Sequence, residues 1–221
     1  MLDVGRVLSD PALREETHMR LALATAILGA ALVVSLSSQT AGSRPSDSLE
    51  QPFAPNGKIR MNLSAAEYVV TGSAGNRIRI DWSVRNADQL SRVHARADVN
   101  GTEARITTDG PSNNSGLRFE IQVPERSDLY IRLTAGDIRI EDVRGNKDVE
   151  LHAGDVRIDV GRAEDYHAVD GSVWAGDIHA APFHVVKGGL FRSFDWTGTG
   201  PYRLHAKLKA GDIRLYSKGA S

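Results

Sequence analysis

Ala135-Gly136-Asp137-Ile138-Arg139-Ile140 is the first of four related hexapeptides, the others lying at residues 153–158, 175–180 and 210–215. In each, Ala-Gly-Asp precedes an apolar-polar-apolar triplet, and an apolar residue stands two positions before the alanine. Alternation places every second side chain of a strand on one face, yet the apolar residues resume one position out of step after Gly-Asp. Because glycine enters backbone conformations closed to other residues, we expect a corner at each Gly-Asp pair. The strands before and after each corner should then face one interior.

The spacing of the four copies predicts a stack of coils. Successive copies begin 18 residues apart (135 to 153), then 22 (153 to 175) and then 35 (175 to 210). Recurrence of a strand–corner unit at such a period is typical of solenoids. The 35-residue interval is long enough for two coils. The first of these would carry a degraded copy of the motif at residues 191–196. The expected fold is therefore all-β, with a short parallel β-solenoid of about five coils over residues 125–217.

Residues 58–124, before the repeats, predict antiparallel strands. Short alternating segments are separated by turn signals, among them Asn100-Gly101, which favours a tight hairpin. We expect this antiparallel portion to cap the N-terminal end of the solenoid, since an uncovered end would expose unpaired backbone groups. Together with the repeats it forms one β domain over residues 58–217.

The N-terminal region, residues 1–41, predicts a signal peptide or an N-terminal membrane anchor. Leu21 to Leu36 carries no charge and follows Arg20, but it is shorter than the roughly 20 apolar residues that a spanning helix needs. Both cleavage and retention stay open, as does a start at Met1 or Met19. Residues 42–57, rich in Ser and Pro, predict a disordered linker.

Composition excludes several classes of function. The net charge of −1 argues against nucleic acid as a partner, since no basic stripe is present. The absence of Cys excludes disulfides and thiolate metal sites. No pair of histidines has metal-binding spacing on a single element, so neither a metal nor a cofactor is expected.

Two columns of side chains should lie beside the corners if the copies stack in register. The first contains Asp137, Asp155, Asp177 and Asp212; the second contains Arg139, Arg157, His179 and Arg214. One interpretation is a carboxylate row that binds Ca²⁺, or that acts with arginine on an acidic polysaccharide. The other is a structural corner, in which each aspartate accepts turn amides and pairs with the nearby arginine. The second is favoured because the arginine column offsets the carboxylate repulsion without a metal.

Trp174 is a further candidate for ligand contact. It occupies an outward position in line with Thr134, His152 and Lys209. Beside His152 it would suit a small patch that stacks on a sugar, although a tryptophan at such a position also often lies beneath a neighbouring loop.

The Ala-Gly-Asp copies, the strand Phe119-Glu-Ile-Gln-Val-Pro124 and the export signal resemble the bacterial putative-adhesin domain family. The resemblance covers residues 58–216 and is strongest over 117–180. It implies a short β-solenoid, often tethered to the cell envelope, in a domain of unknown function that has no catalytic residues to transfer.

These observations predict a non-enzymatic, exported cell-envelope module for surface binding or presentation, in the periplasm, outside the cell or anchored to the membrane. The expected partner is an envelope or surface component, protein or glycan. Two alternatives stay open. One is a Ca²⁺-dependent enzyme that uses Asp155, Asp177 and Arg157 on an acidic polysaccharide. The other is a scaffold that self-associates through the solenoid ends.

Overall fold

The structure, a computed structural model, describes residues 44–111 and 116–218. The predicted signal or anchor segment at residues 1–41 lies outside this range. Within the range, none of the helices has the length and apolar character needed to cross a membrane. The described chain is all-β, with three short 3₁₀ helices at Ala87–Arg92, Ala163–Asp165 and Ala181–Phe183.

The strands form one fifteen-stranded sheet, which bends into two halves that we call wing A and wing B. Wing A has the order β5-β6-β2-β8-β10-β14-β12, and all its neighbours are parallel except β5 and β6. Its strands are β2 (Gly57–Leu63), β5 (His94–Asn100), β6 (Glu103–Asp109), β8 (Ser127–Ala135), β10 (Lys147–Ala153), β12 (Tyr166–Ala180) and β14 (Tyr202–Ala210).

Wing B has the order β1-β4-β7-β3-β9-β11-β15-β12, and all its neighbours from β7 to β12 are parallel. Its strands are β1 (Ser46–Pro52), β3 (Glu67–Ser73), β4 (Arg77–Ser83), β7 (Arg118–Pro124), β9 (Ile138–Glu141), β11 (Val156–Asp159) and β15 (Ile213–Tyr216). The remaining strand, β13 (Val185–Thr197), pairs with β12 alone. Because β12 belongs to both wings and β1 contacts β5 at the opposite end, the sheet is nearly closed.

Each repeat contributes one strand to each wing, as the change of phase at Gly-Asp predicts. In β8 the buried side chains alternate through Leu129, Ile131 and Leu133, and after the corner they continue in β9 with Ile138 and Ile140. All five are at most 3% exposed. We call such a pair of strands, with its corner, a layer. The wings therefore enclose one apolar core, built from successive layers.

The order of the layers differs from that of a simple solenoid. The layer β14–β15, which holds the fourth copy of the motif, lies between the layer β10–β11 and the two halves of β12. The third and fourth copies have therefore exchanged places, and the expectation of coils stacked in chain order is wrong at this end. The expected degraded coil at residues 191–196 is instead part of β13, which runs antiparallel to β12.

Burial explains this arrangement. The inward residues of β14, Leu204, Ala206 and Leu208, are at most 2% exposed and fill a central layer. By contrast, β13 is exposed at most of its positions, apart from Phe194, which covers Gly171 of β12. At the end of the stack, a strand with so few inward apolar residues can still form backbone hydrogen bonds with its one neighbour. In the middle of the stack, the same strand would leave the apolar core unfilled.

Two further expectations are corrected nearer the N-terminus. Residues 46–52, placed in the predicted linker, form β1 and pair with β4. In the predicted antiparallel portion, β4 and β5 have antiparallel partners, but β2 and β3 join the parallel layers beside β8 and β9. Their alternation is compatible with either orientation, because it reports only which face of a strand is buried.

Candidate functional site

The four Gly-Asp pairs stack directly on one another, and we call them the corner column. Along the stack they follow the order Gly136-Asp137, Gly154-Asp155, Gly211-Asp212 and Gly176-Asp177. The φ angle of Gly154 is +124°, and a Cβ atom there would lie 2.1 Å from the carbonyl oxygen of Gly136. At Gly211, also at φ +124°, a Cβ atom would lie 2.0 Å from the carbonyl oxygen of Gly154. Glycine is therefore required by both its backbone angle and its closeness to the next layer.

Three of the four aspartates in the corner column accept a hydrogen bond from the next layer. The amide of Asp155 donates to Oδ1 of Asp137 at 3.0 Å, and the amide of Asp212 donates to Oδ1 of Asp155 at 3.1 Å. The amide of Asp177 donates to Oδ1 of Asp212 at 3.0 Å. The carboxylates of Asp137, Asp155 and Asp212 thus each satisfy a backbone group that a sharp corner would otherwise leave without a partner.

The second predicted column is also in register beside the first. Arg139, Arg157, Arg214 and His179 are strand neighbours in that order. The Arg157 guanidinium lies 2.8 Å from Oδ2 of Asp155, and that of Arg214 lies 3.9 Å from Oδ2 of Asp212. These pairs offset the repulsion between stacked carboxylates. The geometry is that of the structural interpretation; a ligand-binding role for the two columns stays a prediction.

The residues proposed for polysaccharide chemistry do not meet as expected. Asp155 and Asp177 are not on adjacent layers, because the layer that carries Asp212 lies between them. Trp174 and His152 are likewise separated by β14, whose Lys209 lies at the intervening register position. Trp174 is 57% exposed, and its ring centroid lies 5.9 Å from that of Phe191 on β13. Its aromatic neighbour is therefore one that the repeat pattern does not indicate.

Sequence reasoning missed a second group of polar residues, on the solvent-facing side of wing A. Asp148 and Glu150 lie on β10, and His205 lies on the neighbouring β14, in register with Asp148. On the other side of β14, Asp170 of β12 is the register partner of His205 and its carboxylate contacts Nδ1 of the ring. We call these four residues the outer-face cluster. Asp148, Asp170 and His205 each stand five residues before the alanine of an Ala-Gly-Asp copy, so the repeat spacing places them at one register position. Only the insertion of β14 makes His205 the direct neighbour of both aspartates.

Arginines neutralise part of the outer-face cluster. The Arg132 guanidinium lies 2.9 Å from Asp148 and 3.4 Å from Glu150, whereas Arg203 lies 3.1 Å from Asp170. The four cluster side chains are partly exposed. Unlike Asp137, Asp155 and Asp212, the side chains of Asp148 and Glu150 accept no backbone hydrogen bond among those that the structure describes.

A cavity of about 650 Å³ opens at the ends of the layers away from the corners. Its charged lining residues bond mainly to one another: Arg144 to Glu125 at 3.1 Å, and Arg162 to Asp165 at 2.6 Å. Asp159, which is 5% exposed, accepts the amide of Gly161 at 3.0 Å. These groups are held by local contacts that order the connections between layers.

Lys147 is a charged side chain placed inside the core. It is 1% exposed and occupies an inward position between Leu129 and Leu204 of the adjacent strands. Its Nζ donates to the Tyr166 hydroxyl at 2.8 Å. Burial lowers the pKa of Lys147 to about 8, although the nearby carboxylates of Asp159, Asp128 and Asp165 oppose that shift.

Comparison with known proteins identifies the fold. No protein-family model and no curated protein matches the chain by sequence. A putative cell adhesion protein from Clostridium sporogenes has a similar structure, with a TM-score of 0.52 and 13% identity, over 78% of this chain and 100% of that one. A putative adhesin from Parabacteroides merdae matches with a TM-score of 0.30 and 10% identity, over 78% of this chain and 81% of that one. The chain therefore shares the fold of the Clostridium sporogenes protein.

Proposed function

We propose that this chain is a non-enzymatic, adhesin-like module that binds a component of the cell envelope or of another surface. The main support for this proposal is the position of the exposed apolar side chains in the described chain. Five large hydrophobic residues are exposed there, and four of them belong to β12 and β13, at one end of the stack: Trp174, Val186, Leu190 and Phe191. Clustered exposed apolar residues mark interaction surfaces more often than scattered ones do.

The chemistry of this end suits binding. Trp174 and Phe191 form an exposed aromatic pair, which offers large contact area at little cost in side-chain entropy. Lys209 neighbours Trp174 on β14 and supplies a charge beside the rings. In this proposal the parallel layers act as a rigid, solenoid-like support that presents the aromatic pair.

The wider setting of the proposal is the cell envelope. The name of the Clostridium sporogenes protein supports an adhesive role, and the apolar segment Leu21 to Leu36 supports export as a signal peptide or anchor. The corner column supports a non-enzymatic role, because three of its four carboxylates are already bonded to backbone amides.

Binding of the exported domain to envelope fractions and to a glycan panel tests this function. We expect the double variant Trp174→Ala with Phe191→Ser to lose most of the binding, because both aromatic side chains of the pair are removed. Val99→Ser is the matched control, since Val99 is 38% exposed on β5 at the other end of wing A. Equal binding by the double variant and the wild type would contradict the proposal.

Self-association is a second candidate function, favoured by the edge of β13. Among the described strands β13 pairs only with β12, so its other edge presents unpaired backbone groups over thirteen residues. Light scattering over a range of concentrations tests this. A dimer that Val186→Lys returns to monomer is expected, whereas a wild-type monomer at high concentration would exclude it.

A further inference from the structure

We propose that Asp148, Glu150 and His205 form a binding site for a divalent transition-metal ion of the zinc type on the outer face of wing A. One carboxylate oxygen from each acid and one ring nitrogen of His205 all lie within 4.8 Å of one another. The three residues come from two adjacent parallel strands, β10 and β14. Their backbones are therefore fixed by the sheet before any ion arrives.

Asp170 prepares His205 to act as a ligand. Its carboxylate contacts Nδ1 of the ring, and in that arrangement Nδ1 carries the proton and Nε2 keeps a free lone pair. Histidines that bind metals typically donate their other ring N–H to a carboxylate in this way, which holds the ring in place and raises its basicity. Asp170 is itself positioned by Arg203 at 3.1 Å, so the ring is oriented from the side of β12.

The donor set selects the kind of ion. One imidazole with two carboxylates suits zinc and its neighbours, whereas calcium and magnesium prefer oxygen ligands alone. Bonds of about 2.0–2.1 Å in a tetrahedral site would place the ligand atoms roughly 3.3 Å apart. The ligand atoms now lie within 4.8 Å of one another, so they must approach by up to about 1.5 Å when the ion binds. Rotation of the partly exposed carboxylate side chains covers this distance.

Arg132 competes with the ion. Its guanidinium contacts Asp148 at 2.9 Å and Glu150 at 3.4 Å, and Lys207 is the register partner of Glu150. Arg132 therefore pairs with both carboxylates without a metal, and Lys207 places a second cation on the strand beside them. Arg132 must turn away when the ion binds, and this displacement sets the affinity.

A bound ion would join β14 to β10. These strands are 57 residues apart at Asp148 and His205 (205 minus 148), and their pairing is the contact that inserts the fourth repeat into the stack. Three protein ligands leave one position of a tetrahedral site open, where water or a carboxylate of a binding partner fits.

Titration of the untagged, chelator-treated exported domain with Zn²⁺ by calorimetry, and with Co²⁺ by visible absorption, tests the site. We expect one ion per chain and a rise in melting temperature on binding. His205→Gln should abolish these effects, whereas His152→Gln should not, because His152 lies outside the cluster on the same strand as Asp148 and Glu150. Absence of binding at one ion per chain, or its persistence in His205→Gln, would overturn the proposal.

Two further variants separate a metal site from a merely structural cluster. Asp170→Asn keeps the shape of the side chain and should weaken binding by roughly 10–100-fold, as expected for loss of the group that orients a ligand. Arg132→Gln should tighten binding, because it removes the competing cation. Asp170→Asn with unchanged affinity, or Arg132→Gln with weaker binding in a folded protein, would contradict this assignment.

Discussion

The corner column and the outer-face cluster both bring carboxylates together from strands that are distant in sequence, but their surroundings differ. At the corners, Asp137, Asp155 and Asp212 each accept a backbone amide from the next layer. On the outer face, Asp148 and Glu150 contact the partly exposed side chain of Arg132. The first set completes the hydrogen bonding of the main chain, whereas the second has only side-chain contacts that solvent or an ion can replace.

This difference shows that repetition and binding capacity need not coincide. A residue repeated at every layer meets the same geometric requirement at every layer, so the Gly-Asp motif reports on the corner. In the outer-face cluster Asp148 and Asp170 share a position of the repeat, but their combination with Glu150 and His205 exists at one place in the stack. Mutations in the corner column should therefore destabilise the fold far more than mutations in the outer-face cluster.

The largest effect is expected at the glycines of the corner column. Gly154→Ala should destabilise the domain by about 4 kcal/mol or prevent folding, since the new Cβ atom would lie 2.1 Å from the Gly136 carbonyl oxygen at φ +124°. Gly161→Ala is the control: its φ is +66° with nothing within 4 Å, and it should cost only about 1 kcal/mol. Similar urea midpoints for the two variants would show that close stacking at the corner is unimportant.

A smaller effect on the free energy of unfolding is expected from Lys147, an ionisable side chain inside the core. Its folded-state pKa of about 8 lies below the ordinary lysine value of 10.5, so the unfolded chain binds more protons between these values. Stability should therefore rise with pH in that window, by about 2 kcal/mol from pH 8 to pH 10.

Urea denaturation across this range, compared with Lys147→Met, measures the contribution. The variant should lack this rise, because the titrating group is gone. Above pH 10 the raised pKa values of Tyr68 and Tyr166, which burial causes, act in the opposite direction. An identical pH slope in both proteins would mean that Lys147 is charged or neutral to the same extent in the folded and unfolded states.

The next effect compares the two sets of carboxylates directly. Asp155→Ala removes the acceptor of the Asp212 amide and the partner of Arg157, and should cost about 1–2 kcal/mol. Asp155→Asn keeps an acceptor oxygen and should cost less. Thermal or urea unfolding of both variants measures the difference, and a larger loss for the asparagine variant would be inconsistent with the hydrogen-bonding role.

The smallest effect on stability is expected from mutation of the outer-face cluster in the absence of metal. Asp148→Asn breaks an exposed ion pair with Arg132, which typically contributes about 0–1 kcal/mol. Its free energy of unfolding in the presence of a chelator should stay within about 0.5 kcal/mol of the wild type. A loss as large as that of Asp155→Ala would place Asp148 among the residues that hold the fold together.

Much of the local structure follows from the sequence. The change of phase after Gly-Asp predicts two strands that face one interior, and the burial of Leu133 before the corner and Ile138 after it agrees with this. The register of the arginine column also follows, because equal spacing from each corner places Arg139, Arg157 and Arg214 side by side.

Other features depend on contacts that no local pattern encodes. The alternation of β2 and β3 fits parallel or antiparallel pairing equally well, and only their neighbours β8 and β9 decide between the two. Phe191 and Phe194 look alike in sequence, yet Phe194 is 4% exposed and Phe191 is 73% exposed. Their difference arises because Phe194 lies over Gly171 of the adjacent strand.

By itself, the sequence determined the unit of the fold: a strand, a glycine corner that no other residue fits, and a second strand that faces the same core. These are consequences of side-chain alternation and of backbone angles, which act over a few residues. The tertiary structure alone decided the order in which the units stack. Placing β14 between β10 and β12 buries its apolar residues, leaves the exposed β13 at the end, and sets His205 beside Asp148. That order depends on the total apolar surface buried in the whole stack, which cannot be read from any one segment of the sequence.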